Sequence, residues 1–516
     1  MKKITSMIAL LLVMGIMDTH AGNSVPNRCT TPVAQENNLR NALWFNTQNR
    51  AGLAFRPMEE YNFLNLKYNL ENGSLRPQTE AVTSHDISLN TQGAVKLGKF
   101  MIWGDFSFRN IFDRKAMFNT ALYEVSEDMP FFIMDAQESN WNKQEYDLAA
   151  SLTSPVVANR ISFGLKIHYL TKVGAKQKDP RSETYKYNVE IVPSIAINLG
   201  KNHFLGLHGM FDNNFERSKP SLNNYGQNQE VVYNKGFGEG IIGVVGGNGG
   251  VKTLYYKGMR YGGGFQYSYY SSTAVLADFG YKVKTVQGFE NPTLPYRLGS
   301  VKGSEITGDL QVLFGNNKSN RFRLNGLYSK TKGLEYIQKK NEEAFKQRWE
   351  VLKVNSMSYF QNVHACLSYD HLFGNDDQRG YDWKVGAETA FSLTNNGYRH
   401  PESIFTAVNL DVDFFGGKQF KFKTSTLLIA LDLGYRLNIG GGYKYSGNKV
   451  NSMQVAYYTA ENAYLNASFL KTGGRMAWTY NARKVNWVID LKADWHKPLI
   501  IKEDRLLCEA SIGIVF

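Results

Sequence analysis

The sequence predicts an all-β fold, a transmembrane antiparallel β-barrel of about 18 strands, within a range of about 14–20. Three observations predict it. Apolar and polar side chains alternate through strand-length segments, tight turns join these segments in pairs, and long polar segments separate the pairs. A strand between lipid and a polar lumen needs an apolar side chain only at every second position. We therefore expect short periplasmic turns at one rim and long extracellular loops at the other.

The clearest alternation lies at the C-terminal end of the chain. In residues 505–516 one face carries Leu506, Cys508, Ala510, Ile512, Ile514 and Phe516, whereas Arg505, Glu509 and Ser511 are on the other face. The same pattern runs through 486–496, where Trp487 and Trp495 stand at the two ends of the apolar stripe. Aromatic side chains in these positions are typical of the girdles at the two membrane interfaces of such barrels.

The connections between the strands follow from the turn residues. Gly98-Lys99 is expected to join 85–97 to 100–110, and Gly416-Gly417-Lys418 to join 403–415 to 424–439. Glycine suits such turns because it tolerates positive φ. The expected long loops are 111–143, 172–186, 213–258, 286–303, 332–358 and 440–460.

Two details of the connections are less regular. Within 332–358, the i,i+4 charge pairs Glu335–Lys339 and Glu342–Lys346 favour an exposed helix. A paired count from Tyr61 gives an odd number of strands if Lys497-Pro498 is a periplasmic turn. Either a strand is missed, for which 440–460 is a candidate, or an early assignment is wrong.

The first 60 residues do not alternate. Lys2 and Lys3 precede an apolar stretch at 8–17 that is too short to span a bilayer, and Thr19-His20-Ala21 suits signal cleavage. The sequence therefore predicts a signal peptide at 1–21 and the barrel at 61–516. Residues 22–60 are expected to be a periplasmic or lumen-inserted segment with a short helix over 33–46, or a disordered leader.

Composition is consistent with a barrel. Mean hydropathy is −0.37, yet 13% of the residues are aromatic, and no apolar run is long enough for a transmembrane helix of about 20 residues. The three cysteines, Cys29, Cys366 and Cys508, do not form a disulfide framework. The net charge of +13 has two interpretations: it attracts anionic solutes or lipopolysaccharide phosphates, or it reflects lysine-rich exposed loops.

Motifs that suggest enzymes have simpler explanations. Residues 238–243 match G-x-G-x-x-G, but they belong to a glycine run without the strand–helix context of a nucleotide site. That run is expected to be an outer loop or a constriction inside the lumen. Ser84 and His85 are adjacent on a strand and point to opposite faces, so they cannot form a hydrolytic pair. The histidines, such as His208 and His364, show no metal-ligand spacing. No enzyme, cofactor, metal site or nucleic-acid partner is predicted.

Charged side chains on the polar faces of the strands are the candidate functional residues. Such groups set the field and selectivity of a pore, or they pair with one another and fill a closed lumen. The predicted lumen-lining residues are Asp105, Arg109, Lys166, Glu190, Asp309, Arg321, Arg323, Asp411, Asp432, Arg436, Arg475, Asp490, Lys492, Asp494, Arg505 and Glu509.

Together, the signal peptide, the aromatic hairpins, the glycine-lysine turns and the terminal Phe516 resemble an uncharacterised outer-membrane barrel family of Bacteroidota. That resemblance implies an uptake role beside TonB-dependent receptors. Phe516 resembles the signal read by the barrel-assembly machinery. Asn49-Arg50-Ala51-Gly52-Leu53-Ala54 resembles the Asn-Pro-Ala-Gly-Leu-Ala segment of FadL-type transporters, with Arg50 in place of the proline. The FadL resemblance implies about 14 strands, an N-terminal hatch and a hydrophobic ligand.

The functional prediction is a channel or transporter for an unknown solute in the outer membrane of a Gram-negative bacterium. Its expected partners are outer-membrane lipids, lipopolysaccharide and the assembly machinery. The alternative is a structural or accessory barrel that partners a TonB-dependent receptor or a surface lipoprotein.

Overall fold

A computed structural model describes residues 31–122, 128–223, 228–246, 252–291, 293–341, 348–374, 380–482, 485–499 and 503–515. The predicted signal peptide, Cys29 and the terminal Phe516 lie outside these ranges.

Alternating side chains and short turns fold most of the chain into strands. The first ten are β1 (Tyr61–Gly73), β2 (Thr83–Leu97), β3 (Phe100–Ala116), β4 (Ile133–Met134), β5 (Ser139–Thr153), β6 (Ile161–Lys176), β7 (Arg181–Gly200), β8 (His203–Ser221), β9 (Gln229–Gly236) and β10 (Glu239–Val245). The others are β11 (Leu254–Tyr270), β12 (Ala274–Glu290), β13 (Tyr296–Phe314), β14 (Asn320–Asn341), β15 (Arg348–Phe373), β16 (Trp383–Arg399), β17 (Glu402–Lys421), β18 (Ser425–Tyr445), β19 (Phe469–Asn481), β20 (Asn486–Pro498) and β21 (Arg505–Val515). The α-helices are α1 (Pro32–Asn41) and α2 (Met453–Leu465).

Eighteen of these strands form one closed antiparallel barrel, which confirms the predicted fold. Each barrel strand pairs with the next along the chain, and β1 pairs with both β2 and β21. Because the first and last strands pair, the wall has no free edge, as a sheet surrounded by lipid requires. The remaining strands, β4, β9 and β10, form a separate three-stranded sheet.

The structure explains the odd strand count. β20 runs from Asn486 towards the long-loop rim and ends at Pro498, so Lys497-Pro498 is not a periplasmic turn. The 440–460 segment adds no strand, because β18 ends at Tyr445 and α2 follows. The predicted turn at Gly416-Gly417 is also wrong, since both residues lie inside β17 and pair with β16 and β18.

The predicted helix within 332–358 is wrong as well. β14 extends to Asn341 and β15 begins at Arg348, and the two pair along this whole stretch with bulges after Gly333 and Ile337. Cross-strand hydrogen bonds continued from the barrel wall outweigh the small stabilisation that i,i+4 charge pairs give a helix. The strands therefore extend well beyond the membrane at this rim. Glu342 and Lys346 lie outside the described residues.

The outer face of the wall is apolar. On β18, Leu431 and Leu433 are 67% and 55% exposed, while the alternating neighbour Asp432 lies between them on the other face. Exposed apolar side chains at every second position form the lipid-facing surface that defines outer-membrane barrels. Among the helices of the described residues, none has the length and apolar character needed to cross a membrane.

The position of the lipid-facing surface can be tested by replacing leucine with arginine at two heights along the wall. Leu431→Arg places a charge in the lipid-facing part of β18 and is expected to lower the free energy of unfolding by about 2–4 kcal/mol. Leu352 is 62% exposed on the part of β15 that extends past the membrane. Leu352→Arg is therefore expected to change the free energy of unfolding by less than about 1 kcal/mol. Urea titration of folding into lipid vesicles measures both. Equal losses would contradict this placement of the membrane.

Candidate functional site

The N-terminal segment 31–60 lies inside the barrel at the short-turn rim. It consists of α1, which Thr31 caps through a 3.1 Å bond from the Ala34 N–H, and of two short 3₁₀ helices, Leu43–Asn46 and Ala51–Ala54. The sequence predicted one helix over 33–46, whereas α1 ends at Asn41.

Three apolar clusters fix this segment to different sectors of the wall. Leu43 and Trp44 pack on Phe204, Tyr270 and Leu313 of β8, β11 and β13. The other two clusters join Ala34 and Met58 to β1–β3, and Val33 to β15, β18 and β19. Because contacts reach around the barrel, the segment fills the short-turn end of the lumen.

Glycine permits a close approach of segment and wall. A Cβ atom on Gly164 of β6 would stand 2.4 Å from the Ala51 nitrogen. Thr153 donates to the Arg50 carbonyl at 2.8 Å, and the Asn49 amide donates to the Ile195 carbonyl and to Gln266 Oε1, both at 2.9 Å. The stretch that resembles FadL-type transporters is therefore in close contact with the strands of the wall.

A buried ion pair holds α1 to the wall. Arg40 donates from Nε to Asp370 of β15 at 2.9 Å, and both side chains are almost fully buried, at 3% and 2% exposure. Arg321 of β14 lies on the other carboxylate oxygen at 2.7 Å. Arg40 also donates to the carbonyls of Lys318 and Ser319. We call Arg40, Asp370 and Arg321 the latch.

The long-loop end of the lumen is closed by different chemistry. The sheet of β4, β9 and β10 and the helix α2 form a cap that packs on inward side chains of the wall. Phe237 lies 5.3 Å from Phe360 and 5.6 Å from Phe405 by ring centroids, and Tyr458 of α2 lies 5.0 Å from Phe237. Aromatic packing thus holds the cap to the wall, together with ion pairs such as Lys235 of β9 with Glu335 of β14.

The glycine motif at 238–243 belongs to this cap. Gly238, at φ 101°, lies in the turn between β9 and β10, where only glycine is free of strain. A Cβ atom there would stand 2.8 Å from the Tyr443 hydroxyl of the wall. Of the two predictions for the glycine run, the described part agrees with the constriction inside the lumen, whereas residues 247–250 lie outside the described residues.

A cavity of about 520 Å³ lies between segment 31–60 and the middle of the wall. Its size is within the usual range for sites that hold small molecules, about 300–1,000 Å³. The charged and histidine side chains that line it are Arg50, Lys166, His208, Asp278, Lys282, Asp309, Arg323 and His364.

Of the predicted lumen-lining residues, Lys166, Asp309 and Arg323 line this cavity. Most of the predicted residues form ion pairs with other side chains of the wall. The pairs are Arg109 with Asp86 and Glu145, Lys166 with Glu190, Arg323 with Asp309, Arg321 with Asp370, Arg436 and Lys471 with Asp411, Arg475 with Asp490, Lys492 with Asp494, Lys67 with Glu509, and Arg505 with Glu71 and Glu80. Asp105 accepts a hydrogen bond from Gln92 at 2.8 Å, and Asp432 lies near Lys492 and Asp494.

The sequence prediction missed several cavity residues. Lys282 stands between the apolar neighbours Tyr281, which is exposed, and Val283, which is partly buried, so alternation on β12 could have placed it. Asp278 lies on the same strand, four residues earlier, and the same alternation applies to it. Arg50 gave no such signal, since its segment has no alternation.

The hydrolytic interpretation finds no support in the geometry. Ser84 donates to Asp113 at 2.7 Å, whereas the His85 ring stacks on Phe112 with centroids 5.2 Å apart. The two side chains therefore have separate partners. Within the described residues, no group of three or more His, Cys, Asp or Glu side chains is arranged to hold a metal ion.

The model of a family of unknown function, DUF6850, matches residues 50–516. The chain belongs to this family. No curated protein matches the chain in sequence.

Among solved structures, the chain is similar to outer-membrane proteins at low identity. The outer membrane transporter YddB from Escherichia coli is 7% identical, with a TM-score of 0.41 over 89% of this chain and 81% of that one. BauA, the ferric preacinetobactin receptor from Acinetobacter baumannii, is 7% identical, with a TM-score of 0.35 over 88% and 80%. A mutant of the monoaromatic hydrocarbon channel TodX is 11% identical, with a TM-score of 0.30 over 90% and 92%. The 18 strands of this barrel differ from the 14 that the FadL-type resemblance implied.

The latch can be weakened without removing barrel strands. Asp370→Asn leaves Arg40 and Arg321 without their shared carboxylate, and breaking such a buried pair costs about 3–5 kcal/mol. We expect amide exchange of residues 31–60 to accelerate at least a hundredfold, measured by hydrogen–deuterium exchange of the folded protein. The matched control is Asp411→Asn, since Asp411 also lies between two cations, Arg436 and Lys471, but only on the wall. Equal acceleration in both variants would contradict a latch.

The cap is expected to respond to pH through Glu461 of α2. Burial raises the pKa of this carboxyl from 4.5 to about 7; the Gln78 N–H and Arg76 oppose the rise, and Glu80 adds to it. Because the docked helix binds the proton more tightly than the undocked one, docking weakens as pH rises from about 4.5 to about 7. Amide exchange of 453–465 should therefore be faster at pH 8 than at pH 5 after correction for intrinsic rates. Glu461→Gln should remove this dependence, and a dependence that persists in this variant would exclude Glu461 as its cause.

Proposed function

We propose that the protein is a gated outer-membrane transporter for a small polar solute, closed at rest by segment 31–60 and by the cap. One observation carries the proposal: a polar cavity of about 520 Å³ lies in the lumen behind the segment that fills the short-turn end. A barrel that serves only as a scaffold has no need of a cavity lined by charges, because buried charges are costly unless they are paired.

The wall supplies the rigid part of such a transporter. Eighteen paired strands cannot open without loss of many backbone hydrogen bonds in lipid. Movement is therefore assigned to the two closures, which are joined to the wall by side chains. The latch holds one closure by charge, and the aromatic cluster around Phe237 holds the other.

A steadily open pore is not favoured, since both ends of the lumen are occupied by described residues. The accessory role beside a TonB-dependent receptor or a surface lipoprotein has no specific observation in its favour. It is therefore treated as an outcome of the test. The expected lipid, lipopolysaccharide and assembly partners remain proposals that follow from the barrel class.

Removal of both closures tests the proposal. The full chain, refolded in a planar bilayer, is expected to show no steady conductance. The double deletion lacks residues 31–57 of one closure and both 229–245 and 453–465 of the other. It is expected to conduct steadily, because the wall then encloses a water-filled lumen. Each single deletion leaves one closure in place and is the matched control.

Two results would contradict the proposed transporter. Steady conductance of the full chain would show that the closures do not seal the lumen. Silence of the double deletion, in a sample whose β-sheet content is intact, would show that the wall encloses no continuous path. With that silence, stoichiometric recovery of a receptor or lipoprotein from native membranes would favour the accessory role.

A further inference from the structure

The guanidinium of Arg50 has no carboxylate partner among the described residues, although its side chain is buried and only 5% of the residue is exposed. Its Nη1 donates to the carbonyls of Phe45 and Thr47, and its Nε has no hydrogen-bond partner. Its charge lies over the Phe45 ring at 4.4 Å. A buried cation without an anionic partner is costly, and Arg50 lines the central cavity.

Two lysines from the wall line the same cavity. Lys166 of β6 donates to Gln48 at 2.8 Å and to Glu190 at 3.3 Å, and Lys282 of β12 donates to Glu305 at 2.9 Å. Both lysines line the cavity, whereas their carboxylate partners Glu190 and Glu305 do not. An ammonium carries three donors, so each lysine keeps capacity for a further acceptor.

The two acidic lining groups differ in their partners. Asp309 accepts two hydrogen bonds from Arg323, at 3.0 and 2.9 Å, so that this pair is neutral. Asp278 accepts from Gln266 at 2.6 Å, and Gln266 also contacts His208 and Asn49. The lining thus carries four cationic side chains, Arg50, Lys166, Lys282 and Arg323, against two carboxylates. Of these four cations, only Arg50 has no carboxylate partner among the described residues.

We propose that this cavity binds the anionic group of a small solute, a carboxylate or a phosphate, with Arg50, Lys166 and Lys282 as its donors. The proposal rests on the proposed transporter and assigns its class of solute. A guanidinium offers paired donors that match the geometry of either oxyanion. Because Arg50 belongs to segment 31–60 and the lysines belong to the wall, a bound anion would join the closure to the wall.

Inorganic phosphate is the probe, since it carries the shared chemistry without a particular organic scaffold. Equilibrium dialysis of labelled phosphate against the refolded full chain in detergent, at constant ionic strength, measures its Kd. We expect saturable binding of one phosphate per chain that succinate displaces and that tetramethylammonium does not displace. Arg50→Gln is expected to weaken binding at least about tenfold, because it removes charge-assisted hydrogen bonds. Arg50→Lys should weaken it less.

The matched control is Arg436→Gln. Arg436 is also a lumen arginine, but it pairs with Asp411 and does not line the cavity. The phosphate Kd of the Arg436→Gln variant should therefore stay within about twofold of the wild-type value. If Arg50→Gln does not refold, Lys166→Gln and Lys282→Gln replace it, and each should weaken binding several-fold. Equal Kd values for the cavity variants and Arg436→Gln, or no saturable phosphate and succinate binding by the full chain, would overturn the anion site.

Dialysis is independent of gating, so the two proposals fail separately. Phosphate binding by a chain whose double deletion does not conduct would leave the anion site standing without a transporter. Steady conductance of the double deletion with no anion binding by the full chain would leave the transporter standing with another class of solute.

Discussion

Closure of the sheet is the constraint on which the rest of the structure depends. Inside hydrocarbon each backbone N–H and C=O group must find a protein partner, and only a barrel without edges provides this for strands. The pairing of β1 with β21 supplies it here, over eleven residue pairs from Phe63–Val515 to Gly73–Arg505. Once the wall is continuous, any exchange across the membrane must pass through the lumen. The contents of the lumen therefore decide what the protein does.

Apolar packing and charge pairs hold the contents of this lumen at both of its ends. At the short-turn rim the segment combines apolar clusters with the latch, where Asp370 lies between Arg40 and Arg321. At the long-loop rim the cap combines aromatic packing around Phe237 and Tyr458 with ion pairs such as Lys235 with Glu335.

Alternation predicted the wall because lipid imposes a period of two on every strand that crosses it. It failed where that demand ends. A helix was predicted within 332–358 from charge spacing, but the pairing of β14 with β15 continues past the membrane. Gly416-Gly417 was predicted as a turn from composition, although glycine inside a strand is also tolerated. The lumen contents were less predictable still, since Arg50 and the latch depend on contacts such as Arg40–Asp370, separated by 330 positions in sequence.

The proposed gating depends on segment 31–60 lying inside the lumen of the protein in its own membrane. Electron–electron double resonance measures this directly, with spin labels at Asn46→Cys in the segment and Leu97→Cys on the outer face of the short-turn rim. The labels are placed in a chain without its three native cysteines, in outer-membrane vesicles. One narrow distance distribution that agrees with the structure is the predicted result. A broad distribution, or one dominated by distances longer than the lumen allows, would place the segment outside the barrel and contradict the proposed gating.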